Sequence, residues 1–128
     1  MSASAKVTTE FSEAVQRYFD LMYDCDVSRF DQVFHPTAQL HGVRGGSLTM
    51  WPAAKYREIL SKREAPKTAG APREEQILMI DFTSPNQALA KVRVRIHQNV
   101  FVDYLTFLKI DGEWKITAKA FHVEGSSA

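Results

Sequence analysis

The chain changes its periodicity partway along, and that change limits its fold more than any other feature. Apolar residues recur every three to four positions early on and every second position later. Phe11, Val15, Tyr18, Phe19 and Met22 share one stripe of a first helix, which either Thr8 or Thr9 could cap. Asp26 predicts the cap of a second, shorter helix carrying Val27, Phe30, Val33 and Phe34. His35-Pro36 ends it, because the residue before proline is driven out of the α region. Residues 37–41 then read as a short strand and 42–46 as a flexible turn. Pro52 suits the first turn of a third helix running to about Lys62. A loop with two prolines and a glycine follows over residues 63–72. Residues 76–82, 88–96, 100–110 and 114–122 alternate as strands do. Helices first and strands afterwards predict an α+β fold, with the helices on one face of a mainly antiparallel sheet. At 128 residues this is one domain spanning 1–128, with an ordered core over about 9–123 and loose ends.

Strand register decides which side chains meet. A three-residue loop Ile110-Asp111-Gly112 pairs Leu108 with Trp114 and Thr106 with Ile116. A second three-residue loop, His97-Gln98-Asn99, pairs Ile96 with Val100 and Val92 with Tyr104. One face then holds Val92, Val94, Ile96, Tyr104, Thr106, Leu108, Trp114, Ile116 and His122, and the helices should cover it. The other face holds Arg93, Phe101, Asp103, Leu105, Phe107, Lys119 and Phe121. Four large apolar side chains there (Phe101, Leu105, Phe107, Phe121) predict a homodimer through that outer face. Asp103, opposite Arg93 and Lys119, reads as a member of ordinary cross-strand ion pairs. Trp114, after a tight turn, reads as a core anchor.

On the inner face, Tyr18, Tyr104, Thr106 and His122 are expected to converge on a cavity with Met22, while Trp51 and Tyr56 line its mouth. A few polar groups in apolar walls are what small-ligand sites present. The expected occupant is a small apolar or aromatic molecule. An enzymatic alternative is a cofactor-free lyase or isomerase. In it Tyr18 would stabilise an oxyanion while His41 or His122 moves a proton. A protein-interaction module is a third reading. No phosphate-binding glycine loop, nucleophile elbow or paired-cysteine pattern is present, and the four histidines lack metal-ligand spacing, so neither metal nor cofactor is expected. Cys25 stands between Asp24 and Asp26, whose charges oppose a thiolate. Sixteen basic and fifteen acidic residues leave a net charge of +1, with no field to steer nucleic acid or an anionic membrane. The chain has no run of about 20 apolar residues, no signal-peptide core and one cysteine, which together predict a cytoplasmic protein.

Ala14-Val15-Gln16-Arg17-Tyr18, the capping Asp26, Phe34-His35-Pro36-Thr37-Ala38 and the run from Asp103-Tyr104-Leu105-Thr106 through Asp111-Gly112-Glu113-Trp114-Lys115-Ile116 resemble the nuclear transport factor 2-like superfamily. Within it, the chain looks most like the group labelled "putative lumazine-binding" proteins. The resemblance covers about residues 11–122. It implies a cone: a curved sheet wrapped around helices, with a pocket inside and a dimer interface outside. Ketosteroid isomerase is a more distant member. Its pattern puts Tyr18 at the oxyanion tyrosine but Gly42 and Thr106 where that enzyme has carboxylates, so the resemblance implies no steroid isomerisation.

Overall fold

The computed structural model describes residues 3–126, with side chains from residue 5 onward. Helix α1 (Ala3–Asp24) buries the expected stripe of Phe11, Val15, Tyr18, Phe19 and Met22. It begins at Ala3, so Thr8 and Thr9 lie inside it and do not cap it. It ends where Cys25 adopts a left-handed conformation, φ 51°, with its N–H on the Leu21 carbonyl at 2.9 Å. Asp26 caps the next turn, as expected, by accepting from the Ser28 N–H at 3.1 Å. That element is short: a 3-10 turn (Val27–Arg29) and α2 (Phe30–Val33). Helix α3 (Ala53–Lys62) buries Ala53, Tyr56 and Leu60, one stripe at positions i, i+3 and i+7. No helix among the described residues is long and apolar enough to cross a membrane.

Six strands form one sheet: β1 (Phe34–Arg44), β2 (Ser47–Pro52), β3 (Glu75–Ser84), β4 (Gln87–Ile96), β5 (Asn99–Ile110) and β6 (Glu113–Ser126), in the order β2-β1-β6-β5-β4-β3. Only β1 and β6 run parallel; all other neighbours are antiparallel. Helix α1 packs on β4 and β6, and α3 on β1 and β2, giving the expected α+β arrangement. Three features depart from the sequence reading. Strand β1 begins at Phe34, and Pro36 sits where the β1–β6 ladder is interrupted, so it forfeits no ladder bond. Residues 47–52 form a strand that the reading left out, because Gly45 and Gly46 make a tight hairpin at φ 56° and 80°. At the other end, β6 continues through Ser126, so Gly125 and Ser126 belong to the strand; Ser127 and Ala128 lie outside the described residues.

The largest correction concerns register. Ile96 pairs with Asn99 and Ile110 with Glu113, so both hairpins turn on two residues, not three. Asp111 and Gly112, at φ 51° and 82°, suit a primed turn, and His97 takes φ 56° in the other hairpin. Its ring holds the Glu64 carbonyl at 2.8 Å, which anchors that corner. A slip of one residue sends every following side chain to the opposite face. Strand β6 then resets its phase at a bulge: Phe107 pairs with Ile116 but Thr106 with Ala118, leaving Thr117 over. Trp114 and Ile116 thus face the helices as expected, and so do Lys119 and Phe121 beyond the bulge.

Candidate functional site

The register places Asp103, Leu105 and Phe107 under the helices. Tyr104, Thr106 and His122 go to the outer face, where Tyr104 is 45% exposed. These three residues therefore do not join Tyr18. Tyr104 and His122 instead line an open outer cleft of about 410 Å³ with Lys91, Val102, Ala120 and Glu124. His41 is also exposed on the outer side of β1, so no tyrosine/histidine acid–base pair assembles around Tyr18. The apolar patch expected to make a dimer is not on the surface either. Leu105, Phe107 and Phe121 are buried, and Phe101 packs partly against the same core.

What does assemble around Tyr18 is a polar cluster in an aromatic box. Asp103 is 1% exposed and Lys119 5%. The Tyr18 hydroxyl donates to Asp103 Oδ2 at 2.6 Å, and Lys119 Nζ stands 3.9 Å from the same oxygen. Lys119 donates to the Tyr56 hydroxyl at 3.2 Å, and Tyr56 donates in turn to the Met22 sulfur at 3.3 Å. The ammonium also lies over two ring faces, 5.1 Å from the Tyr18 centroid and 4.9 Å from that of Tyr56. Helices α1 and α3 thus supply the tyrosines and methionine, and strands β5 and β6 supply the charges. Asp103 Oδ1 is buried without any hydrogen-bond partner.

Burial pushes the Asp103 carboxyl above the ordinary carboxylate range, while the Lys119 charge and the Tyr18 hydrogen bond hold it back. Burial, and then the Asp103 charge, push the Tyr18 hydroxyl well up, so it stays a donor. The cluster thus sets the carboxyl of Asp103 and the amine of Lys119 side by side under the helices. Beside it three rings stack. Trp51 lies within 15° of parallel to both Tyr56 and Phe121, at centroid separations of 5.9 and 5.6 Å. Gly42 makes this possible, because a Cβ there would fall 2.2 Å from the Phe121 ring. Trp51 is only half-buried, so the stack reaches solvent through it. Of the residues expected in the site, Tyr18, Met22 and Tyr56 come together, with Trp51 at the edge. Asp103 and Lys119 were missed as site residues. A signal for them was present: the bulkier side chains of β5, Phe101, Leu105 and Phe107, share their parity with Asp103. Among the described residues no His/Cys/Asp/Glu group is placed to hold a metal ion. The Cys25 thiol is raised by burial, in keeping with an inert role.

Residues 6–122 match the model of a family described as "Putative lumazine-binding". No curated protein matches the chain in sequence. Among solved structures, a nuclear transport factor 2-like protein of unknown function from Shewanella baltica superposes with a TM-score of 0.83 at 22% identity, covering 95% of this chain and 97% of that one. Another, from Silicibacter pomeroyi, gives 0.80 at 18% identity, covering 97% and 100%. A ketosteroid isomerase-like protein from Erwinia carotovora atroseptica gives 0.69 at 11% identity, covering 91% and 95%. These likenesses show the cone fold.

Proposed function

We propose that this chain, which belongs to the family described as "Putative lumazine-binding", holds a small planar molecule inside the cone. The ligand lies along Trp51, Tyr56 and Phe121 and presents a polar edge to Asp103 and Lys119. The observation that carries this reading is the buried Asp103 Oδ1 without a partner. Folding alone does not call for it. An ion pair taken out of water recovers its desolvation cost only when its remaining lone pairs are satisfied, and an apolar pair of similar volume is often at least as stable. A site that keeps an unsatisfied acceptor beside an ammonium, in an aromatic box, has the makings of a ligand contact.

The family's description makes lumazine the first probe. At a concentration of about 100 times its Kd, a ligand that binds only the folded chain adds about 2.7 kcal/mol of stability. Lumazine should therefore raise the melting temperature and quench the fluorescence of the half-buried Trp51, and Asp103→Asn should reduce both effects. A melting temperature unchanged at millimolar lumazine, with unquenched fluorescence, would overturn the reading. Pairing of two copies is proposed as well, through the outer face around Tyr104 in place of the buried residues expected to form it. Sedimentation should give two chains for the wild type and one for Tyr104→Glu; a wild-type monomer contradicts it.

A further inference from the structure

We propose that a second site, outside the cone, takes free α-amino acids, molecules that carry an ammonium and a carboxylate on one carbon. A cleft of about 340 Å³ opens where α1 passes the start of β6, and Glu10, Glu13, Arg17, Glu113, Trp114 and Lys115 line it. That volume falls in the range of small-ligand pockets, about 300–1,000 Å³. The cleft shares no lining residue with the aromatic box around Lys119, so it stands apart from the reading of the cone. Trp114 supplies the first half of the argument. Its ring belongs to the core, 3% exposed and edge to face with Phe11 at 5.1 Å. Its indole N–H is buried without an acceptor. A buried tryptophan N–H ordinarily has a partner, and the cleft that Trp114 lines is where an acceptor can approach it.

The charges supply the second half, because most of them already have partners. Glu10 holds Lys109 at 3.1 Å. Glu113 holds Lys115 at 3.4 Å, and that ammonium also donates to the Asp31 carbonyl at 2.5 Å. Glu13 and Arg17 are left. They stand four residues apart on α1 with the glutamate first, the order in which such pairs attract best. Yet neither makes an ion pair or a side-chain hydrogen bond with any described residue. The cleft therefore offers one free guanidinium, one free carboxylate and one unmet neutral donor. Arg17 and the indole N–H together suit a carboxylate, and Glu13 suits the ammonium beside it. A simple anion would be repelled by Glu13, and a simple cation would leave both Arg17 and the indole N–H unmet.

The test titrates the full chain with L-leucine, L-leucinamide and N-acetyl-L-leucine, followed by proton–nitrogen correlation NMR. Leucine is chosen because its side chain adds no hydrogen-bonding group to mask the two charges. The chain has two tryptophans and so two indole N–H signals; Trp51→Phe removes one and identifies that of Trp114. L-Leucine should move the Trp114 signal downfield to saturation as an acceptor reaches it. The two derivatives, each lacking one charge, should bind at least about tenfold more weakly, the loss expected for one charged hydrogen bond. Arg17→Gln, at a half-buried helix position outside the core, should weaken L-leucine by a similar factor. A Trp114 signal unmoved by L-leucine up to its solubility would overturn the inference. So would a derivative that binds as tightly as L-leucine, or an Arg17→Gln chain whose affinity is unchanged.

Discussion

Two ends of the same core, both anchored on α1, solve burial in opposite ways. Around Phe11 the neighbours are Phe82, Phe107 and Trp114, at centroid separations of 5.2, 4.8 and 5.1 Å, all edge to face. Two turns along, Tyr18 and Tyr56 instead enclose an ammonium and a carboxylate. The first arrangement is what hydrophobic burial alone selects, aromatic edges against aromatic faces. The second withdraws two charges from water; a buried polar atom without a partner stands at each end, the Trp114 indole nitrogen at the first and Asp103 Oδ1 at the second. The contrast teaches that one end of the cone is built for stability, while the other gives stability up for chemistry.

Breaking the apolar end should cost most. Trp114→Ala removes a side chain 3% exposed and should lower the unfolding free energy by about 3–5 kcal/mol in urea titration. A loss under about 1 kcal/mol would remove Trp114 from the core. At the polar end, Lys119→Met leaves Asp103 as a buried charge without its ion partner, at a cost of about 3 kcal/mol by the same measurement. An unchanged stability would mean that the carboxylate is compensated from elsewhere. Gly42→Ala should cost about 1–3 kcal/mol, since the Phe121 ring must leave its place against Trp51. Wild-type stability with Trp51 fluorescence unaltered would show that the stack does not depend on that glycine.

A smaller effect sharpens the comparison through pH. Asp103 titrates higher in the folded chain than the value of about 3.9 expected when unfolded. The folded state therefore holds this proton more tightly, so its contribution is full below about pH 4 and declines as pH rises through the raised folded value. The stability of the wild type relative to Asp103→Asn should fall across that interval. Urea unfolding of both proteins between pH 4 and 8 measures the difference, and one that does not vary with pH would contradict the buried environment.

The helical half of this site was legible in the sequence, and the strand half was not. Tyr18 and Met22 lie on an unbroken 3.6-residue stripe, and such a stripe tolerates an error at its start: α1 begins at Ala3, not near Thr8, with the same face buried. A strand has no such tolerance. His97 entered a left-handed conformation that a sequence reading assigns first to glycine, asparagine or aspartate, and this shortened the turn by one residue. A three-residue loop there would put Asp103 on the outer face and Tyr104 under the helices, the reverse of what the structure holds. The bulge at Thr117 had no marker of its own, since neither glycine nor proline stands there. The α+β order survived these errors because it depends on where periodicities lie and not on their phase.

Removing the polar end altogether is the most direct test. The triple variant Tyr18→Phe, Asp103→Leu, Lys119→Met deletes both charges and the tyrosine donor that serves them, while keeping the volume roughly constant. If the cluster serves a ligand and not the fold, the unfolding free energy of this variant at pH 7 should equal that of the wild type or exceed it by about 1–4 kcal/mol. A value about 3 kcal/mol below the wild type would contradict the account and make the buried pair part of what holds the cone together.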